Sequence, residues 1–321
     1  MERFNGIKAL VIGDVMIDAY SIGVVERMSP EAPVPVVNVK RRSNRLGGAA
    51  NVALNLKALG ATPIVCSVVG EDAHAALLLQ LMQEHGLDTR GIIQSSERIT
   101  TVKHRVLNGD KQMIRIDEED THELSQAEYD GFYEAIRELT NRMEFDIIIL
   151  QDYNKGVLSK TLIQSVLKMA HDKDIPVAVD PKKKNFMAYQ GVTLFKPNAK
   201  ELREGMGMKA ETLDELKEAA MKLQEQLHCQ NLMVTLSQQG AMILSQNDFY
   251  HVAACPRHIV DVSGAGDTVL SVAALCTALK MDPKTTVTLS NIAGGLVCEQ
   301  VGVVPIDKER FAEEVQRLCH D

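Results

Sequence analysis

From about residue 125 to the C-terminal end, the sequence alternates short apolar runs with longer amphipathic segments. The spacing predicts helices over 126–142 and 160–173, with strands at 146–150, 176–180 and near 193–196. Helices continue to about 227, and strands follow at 232–236, 241–244 and 249–254. Three helices close the chain at roughly 265–280, 284–300 and 307–319. A parallel strand cannot follow its neighbour through a tight turn. It needs a crossover, which a helix supplies. Such helices cover both faces of the sheet, so the rhythm predicts an α/β chain with a central, mostly parallel sheet sandwiched by helices.

The first half supplies the rest of that sheet. Residues 7–13 (IKALVIG) form an apolar run ending in glycine, which reads as a buried strand entering a site loop. A helix over 48–59 is closed by Gly60, a strand covers 63–70, and a helix over 73–85 stops at Gly86. Two β-rich patches, 19–39 and 100–116, fall outside the rhythm. The first contains SPEAPVP, too proline-rich for a helix, and the second turns at Asn108-Gly109, a hairpin signal. They are expected to form a small sheet, a lid, projecting from one domain that takes in residues 1–321.

The bulk properties narrow the function. With 45% hydrophobic residues in 321, the chain can build a substantial core. A net charge of −8 and the lack of a basic stripe with interleaved aromatics argue against a nucleic-acid partner. The six cysteines, Cys319 among them, never form C-x-x-C and read as reduced thiols. There is no leader-like apolar stretch at the start and no run of ~20 apolar residues, so a cytoplasmic, membrane-free protein is expected.

The chemistry concentrates in Asp261-Val262-Ser263-Gly264-Ala265-Gly266-Asp267-Thr268, which leads into an apolar helix. A glycine-rich turn opening a helix presents unpaired backbone N–H groups at the positive end of the helix dipole. The amides of Gly264, Ala265 and Gly266 thus suit a phosphate or a developing anion. Asp267 would repel a phosphate, but as a general base it could take the proton of an attacking hydroxyl. The same residues also fit an ordinary strand-to-helix turn with Asp267 as a capping residue.

Other segments sit at predicted strand ends, where α/β sheets bind ligands. Asp14 and Asp18 could accept sugar hydroxyls or be exposed loop acids. Gly47 and Gly48 open room at a helix start, and Asn51 offers both a donor and an acceptor. Asn198 and Glu201 fit a capping box and could equally orient Mg²⁺-bound water near phosphates. Thr235, Ser237 and Gly240 lie in a polar turn where a nucleotide could rest. Positive charge could come from Lys103, Arg105, Lys155 or 182–184. No Walker A, H-E-x-x-H or G-x-S-x-G pattern is present.

In this order, Gly13–Asp18 (G-D-x-x-x-D), GGAANVALNLKALG at 47–60, N-x-x-E at 198–201 and DVSGAGD at 261–267 resemble the ribokinase, or PfkB-type carbohydrate kinase, family. The likeness runs over essentially the whole chain. It implies a ribokinase-like fold with ATP and Mg²⁺ as cofactors. It makes Asp267 the catalytic base and Gly264–Gly266 the anion hole. Asp18, Gly47, Gly48 and Asn51 become sugar contacts, while Asn198 and Glu201 become the Mg²⁺ and phosphate motif. Asn291 and 235–240 fall in nucleotide-site segments. Asp261 and Ser263 align with a monovalent-cation loop that would hold K⁺, and the lid is expected to pair two copies into a homodimer.

Within the family, RMSPEAPVPVV (27–37), TTVKHRVLNGDKQMIRID (100–117) and QDYNKGVLS (151–159) resemble the heptose 7-phosphate kinase branch. That likeness implies phosphorylation of the anomeric O1 of D-glycero-β-D-manno-heptose 7-phosphate, in ADP-heptose synthesis for lipopolysaccharide. Arg105 and Lys155 are the candidate cations for the distal phosphate, and Asp152 is a further candidate substrate contact. Three positions depart from the pattern. Ser263 replaces the commoner Thr, Val269-Leu270-Ser271 lacks paired glycines, and Gln151 stands where Ser or Thr is expected. No H-x-G-H follows, so a separate nucleotidyltransferase is expected to continue the pathway. A kinase for another sugar and a non-catalytic sugar- or nucleotide-binding regulator are the competing readings. A dehydrogenase is excluded, because no G-x-G-x-x-G follows the first strand.

Overall fold

The computed structural model describes residues 2–246, 248–255 and 257–320, with side chains through 317. Cys319 lies outside the described side chains, and the other five cysteines are free thiols. Strand β1 (Lys8–Gly13) is the centre of gravity of the sheet. It pairs in parallel on one side with β4 (Thr62–Gly70) and on the other with β8 (Ile147–Gln151). Its side chains alternate between two apolar layers. Ala9 and Val11 pack with helix α1 (Ala49–Ala58) and helix α7 (Ala265–Ala278), in the same cluster as Ala53 and Leu270. Leu10 and Ile12 face the opposite layer, with Phe132 of α3 (Gln126–Arg142) and Leu162 of α4 (Lys160–Asp172). Both faces being covered explains why β1 and β8 read as continuous apolar runs.

Among the described residues the sheet has nine strands. β5 (Asp88–Ser95) is one edge beside β4, and β9 (Val177–Asp180), β10 (Leu194–Phe195) and β11 (Asn231–Thr235) continue beyond β8. All of these pairings are parallel; β12 (Ala241–Ser245) and β13 (Asp248–Val252) then add antiparallel strands at the far edge. The expected sandwich is present, and β5 is the strand the sequence does not announce. It reads DTRGIIQS, a polar stretch, because it closes the edge of the sheet.

The lid is a four-stranded sheet in the order β3-β2-β6-β7. Its strands are β2 (Val15–Met28), β3 (Pro35–Gly48), β6 (Val102–Asn108) and β7 (Lys111–Glu118). They extend well past the expected 19–39 and 100–116. The polar KRRSNR segment at 40–45 looks like a loop in sequence, but a ribbon largely open to water can carry charge on both faces. β2 leaves the end of β1, and β3 returns to it, with Val15 opposite Gly48 at the entrance to α1. The lid is thus rooted at the carboxyl end of the central strand. Its hairpin loop is Gly109-Asp110, one residue later than expected, because Asn108 still pairs with Lys111.

Candidate active site

The carboxyl ends of β1, β8 and β9 meet the start of α7, and Asp267 lies there in the first helical turn. No side chain caps this helix. Gly264 takes the cap position at φ 78°, a left-handed conformation that suits glycine. An added Cβ there would also sit 2.9 Å from Asn51 Nδ2. The N–H groups of Gly266 and Asp267 precede any carbonyl of the helix that could serve them. Of the amides expected to meet an anion, that of Ala265 donates to the Val262 carbonyl at 3.3 Å.

Asp267 is 2% exposed and is held by three donors. Oδ1 accepts from Gln151 Nε2 at 3.0 Å and from the Tyr153 hydroxyl at 2.8 Å. Among the described residues Oδ2 accepts only from Asn51 Nδ2, at 2.8 Å, and keeps a lone pair for another donor. Burial pushes the carboxyl up to about 7, against the Asn51 and Tyr153 hydrogen bonds that favour the charged form. Asn51, expected on the sugar, spends its amide positioning Asp267. Its own Oδ1 accepts from Asn55 Nδ2 at 3.3 Å.

A second shell of charge flanks the helix start. Asp180, the last residue of β9, meets Lys196 Nζ at 3.0 Å and Lys182 Nζ at 3.5 Å. Burial alone would raise Asp180, but the Lys182 and Lys196 charges outweigh it and hold the carboxyl low. Lys182 also pairs with Glu201 and lies 5.3 Å from the centre of the Tyr153 ring. Tyr153, Asp180 and Lys196 were not singled out by sequence. Their only signal is position, at or just beyond strand ends. Gln151 showed itself solely as a departure from the expected Ser or Thr.

Just beyond the end of β1, Asp14 is turned inward and organises a loop. Its carboxylate accepts the N–H groups of Tyr153, Lys155 and Val157 at 2.7, 3.1 and 3.2 Å. Burial and the neighbouring Asp152 charge raise it to about 6. Asp152 is likewise engaged, by the Tyr189 hydroxyl at 2.7 Å, Asn185 Nδ2 at 3.3 Å and the Asn154 N–H at 2.8 Å. Asp18 is buried at the lid root and paired with Arg105, with Gly47 packed against it. Gly48, at φ 61°, closes on the Asp14 carbonyl, where a Cβ would collide. Lys155 reaches Glu119 at 2.7 Å, and Lys103 meets the same carboxylate at 3.3 Å.

Beyond the end of β10, Asn198 and Glu201 form the reciprocal capping box of α5 (Ala199–Met206), at 2.8 and 2.9 Å. Thr235 bridges Asn198, Ser237 takes a left-handed turn, and Gly240 follows at φ 89°. Asn291 Nδ2 donates to the Ala253 carbonyl at 2.9 Å. Among the described residues no group of three or more His, Cys, Asp or Glu could cage a metal ion. Glu201 can meet a divalent ion through water, the mode expected of one that arrives on phosphate oxygens. Asp261 accepts the N–H groups of Ser263 at 2.9 Å and Gly302 at 2.8 Å, tying two loops together.

The fold is shared with solved kinases. Phosphofructokinase-2 from Escherichia coli, in complex with potassium, superposes with a TM-score of 0.83 at 18% identity, covering 98% of this chain and 99% of that one. Arabidopsis thaliana ribokinase, complexed with ribose and ATP, gives 0.74 at 18% identity, over 96% and 98%. The architecture is ribokinase-like. The pfkB family carbohydrate kinase pattern matches residues 7–309, and the chain belongs to that family. It is 43% identical over 308 residues to the bifunctional protein HldE of Methylobacillus flagellatus, covering 96% of this chain and 63% of that protein. It is 40% identical over 314 residues to the D-beta-D-heptose 7-phosphate kinase of Bordetella bronchiseptica, covering 98% and 97%. Among the described residues, no helix is long and apolar enough to cross a membrane. Membership of a kinase family entails a nucleoside triphosphate donor and a divalent metal ion.

Proposed function

We propose that this chain transfers the γ-phosphoryl group of ATP to the anomeric hydroxyl of D-glycero-β-D-manno-heptose 7-phosphate, giving the 1,7-bisphosphate. The observation that carries the chemistry is Asp267: a buried carboxyl with a pKa of about 7, beside the amides that open α7. Near neutral pH about half of it is ionised, the condition in which a general base is most effective. Oδ2 takes the hydroxyl proton as the sugar oxygen attacks. Asn51, Gln151 and Tyr153 hold the carboxylate in place, and the amides of Gly264 and Gly266 stabilise the charge on the migrating phosphoryl group. Lys182, with Nζ between Asp180 and Glu201, adds positive charge on the same side. Glu201 would hold a divalent ion such as Mg²⁺ through water, and that ion would supply charge neutralisation to the phosphates.

The substrate assignment rests on the Bordetella relative, whose name is that of a heptose 7-phosphate kinase and whose length matches this chain. Asp18 and Arg105 at the lid root face the sugar, with Gly47 and Gly48 giving the clearance. Asp14 and Asp152 act from behind, by shaping the 153–157 loop. Lys155 of that loop and Lys103, which shares Glu119 with it, are the candidate cations for the distal phosphate. Thr235, Ser237, Gly240, Asn198 and Asn291 border the nucleotide. The whole chain acts as one cytoplasmic kinase unit in ADP-heptose synthesis, and a nucleotidyltransferase uses its product downstream. The lid exposes Ile114 and Ile116 on one face of β7, apolar surface suited to a homodimer.

A panel of sugars and sugar phosphates, scored by ADP release, tests the assignment. Heptose 7-phosphate should give the highest kcat/KM. A preference for an unphosphorylated pentose would end the heptose reading. No ADP release with any sugar would favour the regulator instead.

A further inference from the structure

Lys155, on the 153–157 loop, and Lys103, on lid strand β6, converge on one carboxylate, that of Glu119 just past the end of β7. Lys155 Nζ lies 2.7 Å from Glu119 Oε1, and Lys103 Nζ lies 3.3 Å from Glu119 Oε2. Two ammonium groups thus straddle two oxygens of one anion, a geometry in which lysines also hold a phosphate. Burial would raise the Glu119 carboxyl, but the Lys155 hydrogen bond and the Lys103 charge outweigh it and hold the group below its usual range.

The neighbouring charges are committed elsewhere. Asp117 meets Lys103 at 3.3 Å but is also gripped by Arg115, at 2.8 and 2.9 Å. Arg105 pairs with Asp18, Arg98 with Glu128, and Asp120 accepts the Ile99 N–H at 2.9 Å. Among the described residues the Glu119 carboxylate meets only the two lysines. The chain is fixed on either side of it, by Glu118 opposite Val102 and by Asp120, so rotation of the side chain alone would withdraw it. The position it fills borders the chemistry. Lys155 is two residues from Tyr153, which donates to Asp267, and Lys103 shares a lid face with Asp18 and Arg105.

We propose that Glu119 is a place-holder for the distal phosphate of the substrate, and thereby a specificity residue: a phosphate displaces it from Lys155 and Lys103, and a neutral sugar does not. A dianion brings the two lysines more charge than the carboxylate it expels. A hydroxyl cannot compensate the ion pairs it would have to break.

The place-holder role rests on the reading of this chain as a sugar-phosphate kinase, so the first measurement needs no turnover. It is the binding of inorganic phosphate, by calorimetry at constant ionic strength. Glu119→Gln keeps the shape of the side chain and removes its charge. It should bind phosphate about fivefold tighter than wild type, the scale of one partly exposed ion pair, and adding Lys155→Ala should abolish the gain. In turnover, KM for heptose 7-phosphate should fall by a similar factor, and by more than KM for an unphosphorylated sugar. A merely structural role would alter both sugars alike. Unchanged or weaker phosphate binding by Glu119→Gln overturns the inference, as does a gain that survives Lys155→Ala. Should Glu119→Gln not fold, Glu119→Asp, which draws the charge back by one methylene, should show a smaller gain of the same sign. If neither folds, Glu119 is structural and the inference fails. If phosphate binds as expected but no sugar turns over, the kinase reading fails while Lys155, Lys103 and Glu119 still form a displaceable anion site.

Discussion

Replacing Tyr153 by Phe removes one donor from the Asp267 carboxylate while keeping the ring that packs under Lys182. The lost hydrogen bond is 2.8 Å long and ends on Oδ1. Burial, with the nearby Asp267 charge, holds the Tyr153 phenol far above its usual range, so it stays a donor throughout the working pH. A hydrogen bond to a charged acceptor contributes about 1.5–3 kcal/mol. At 1.36 kcal/mol per unit, its loss should raise the Asp267 pKa by about one to two units. Gln151 and Asn51 remain and favour the lower end of that range. From a starting value of about 7, a rise of ~1 cuts the ionised fraction at neutral pH about fivefold. The assay is kcat/KM against pH, by ADP release, for wild type and Tyr153→Phe in parallel. Titration of the substrate's own phosphate is common to both and drops out of the comparison. The acidic limb should move up by about one unit, with activity recovered in the alkaline range. An equal loss at every pH would mean that Tyr153 only packs, and a limb moving down would refute the hydrogen-bond reasoning outright.

Stability should move with pH in a direction set by the same carboxyls. Asp14 and Asp267 keep their protons up to about 6 and about 7 in the folded chain, whereas both ionise near 3.8 when unfolded. The folded state therefore binds more protons between those values, and stability falls as pH rises through them. The melting temperature should drop by a few degrees from about pH 5 to about pH 8, and Asp267→Asn should flatten part of that slope; a wild-type profile rising over this range would contradict it. The lid face makes a separate prediction. Ile114→Lys with Ile116→Lys should convert a sedimenting dimer into a monomer without unfolding it, and an unchanged sedimentation coefficient would place the homodimer elsewhere or deny it.

The sequence made the sheet legible because its strands are buried on both faces, and an apolar run between two helices has few other uses. It was least informative where strands are open to water. β5 and the polar part of β3 carry charges that read as loop. For the site, Asp267 and the small residues before it could be read because a glycine-rich helix start has a local chemical meaning. The partners of Asp267 could not. Gln151 and Tyr153 lie more than a hundred residues away and meet it because α7 packs against β8 in the folded chain. Asp14 illustrates the reverse error of emphasis. A carboxylate at a strand end suggests a ligand contact, yet here it folds the 153–157 loop through three amides. Arg45 sits in a run of basic residues that spacing alone reads as solvated, and its target, the 301–303 backbone, is over 250 positions away.

The most direct test of the whole account is the turnover of Asp267→Asn beside its nucleotide affinity. Asparagine keeps the size of the side chain but cannot take a proton from the sugar. Turnover should fall by about 10²–10⁴, with ATP bound nearly as tightly as before. An Asp267→Asn enzyme turning over at the wild-type rate would mean that no proton passes through this carboxylate.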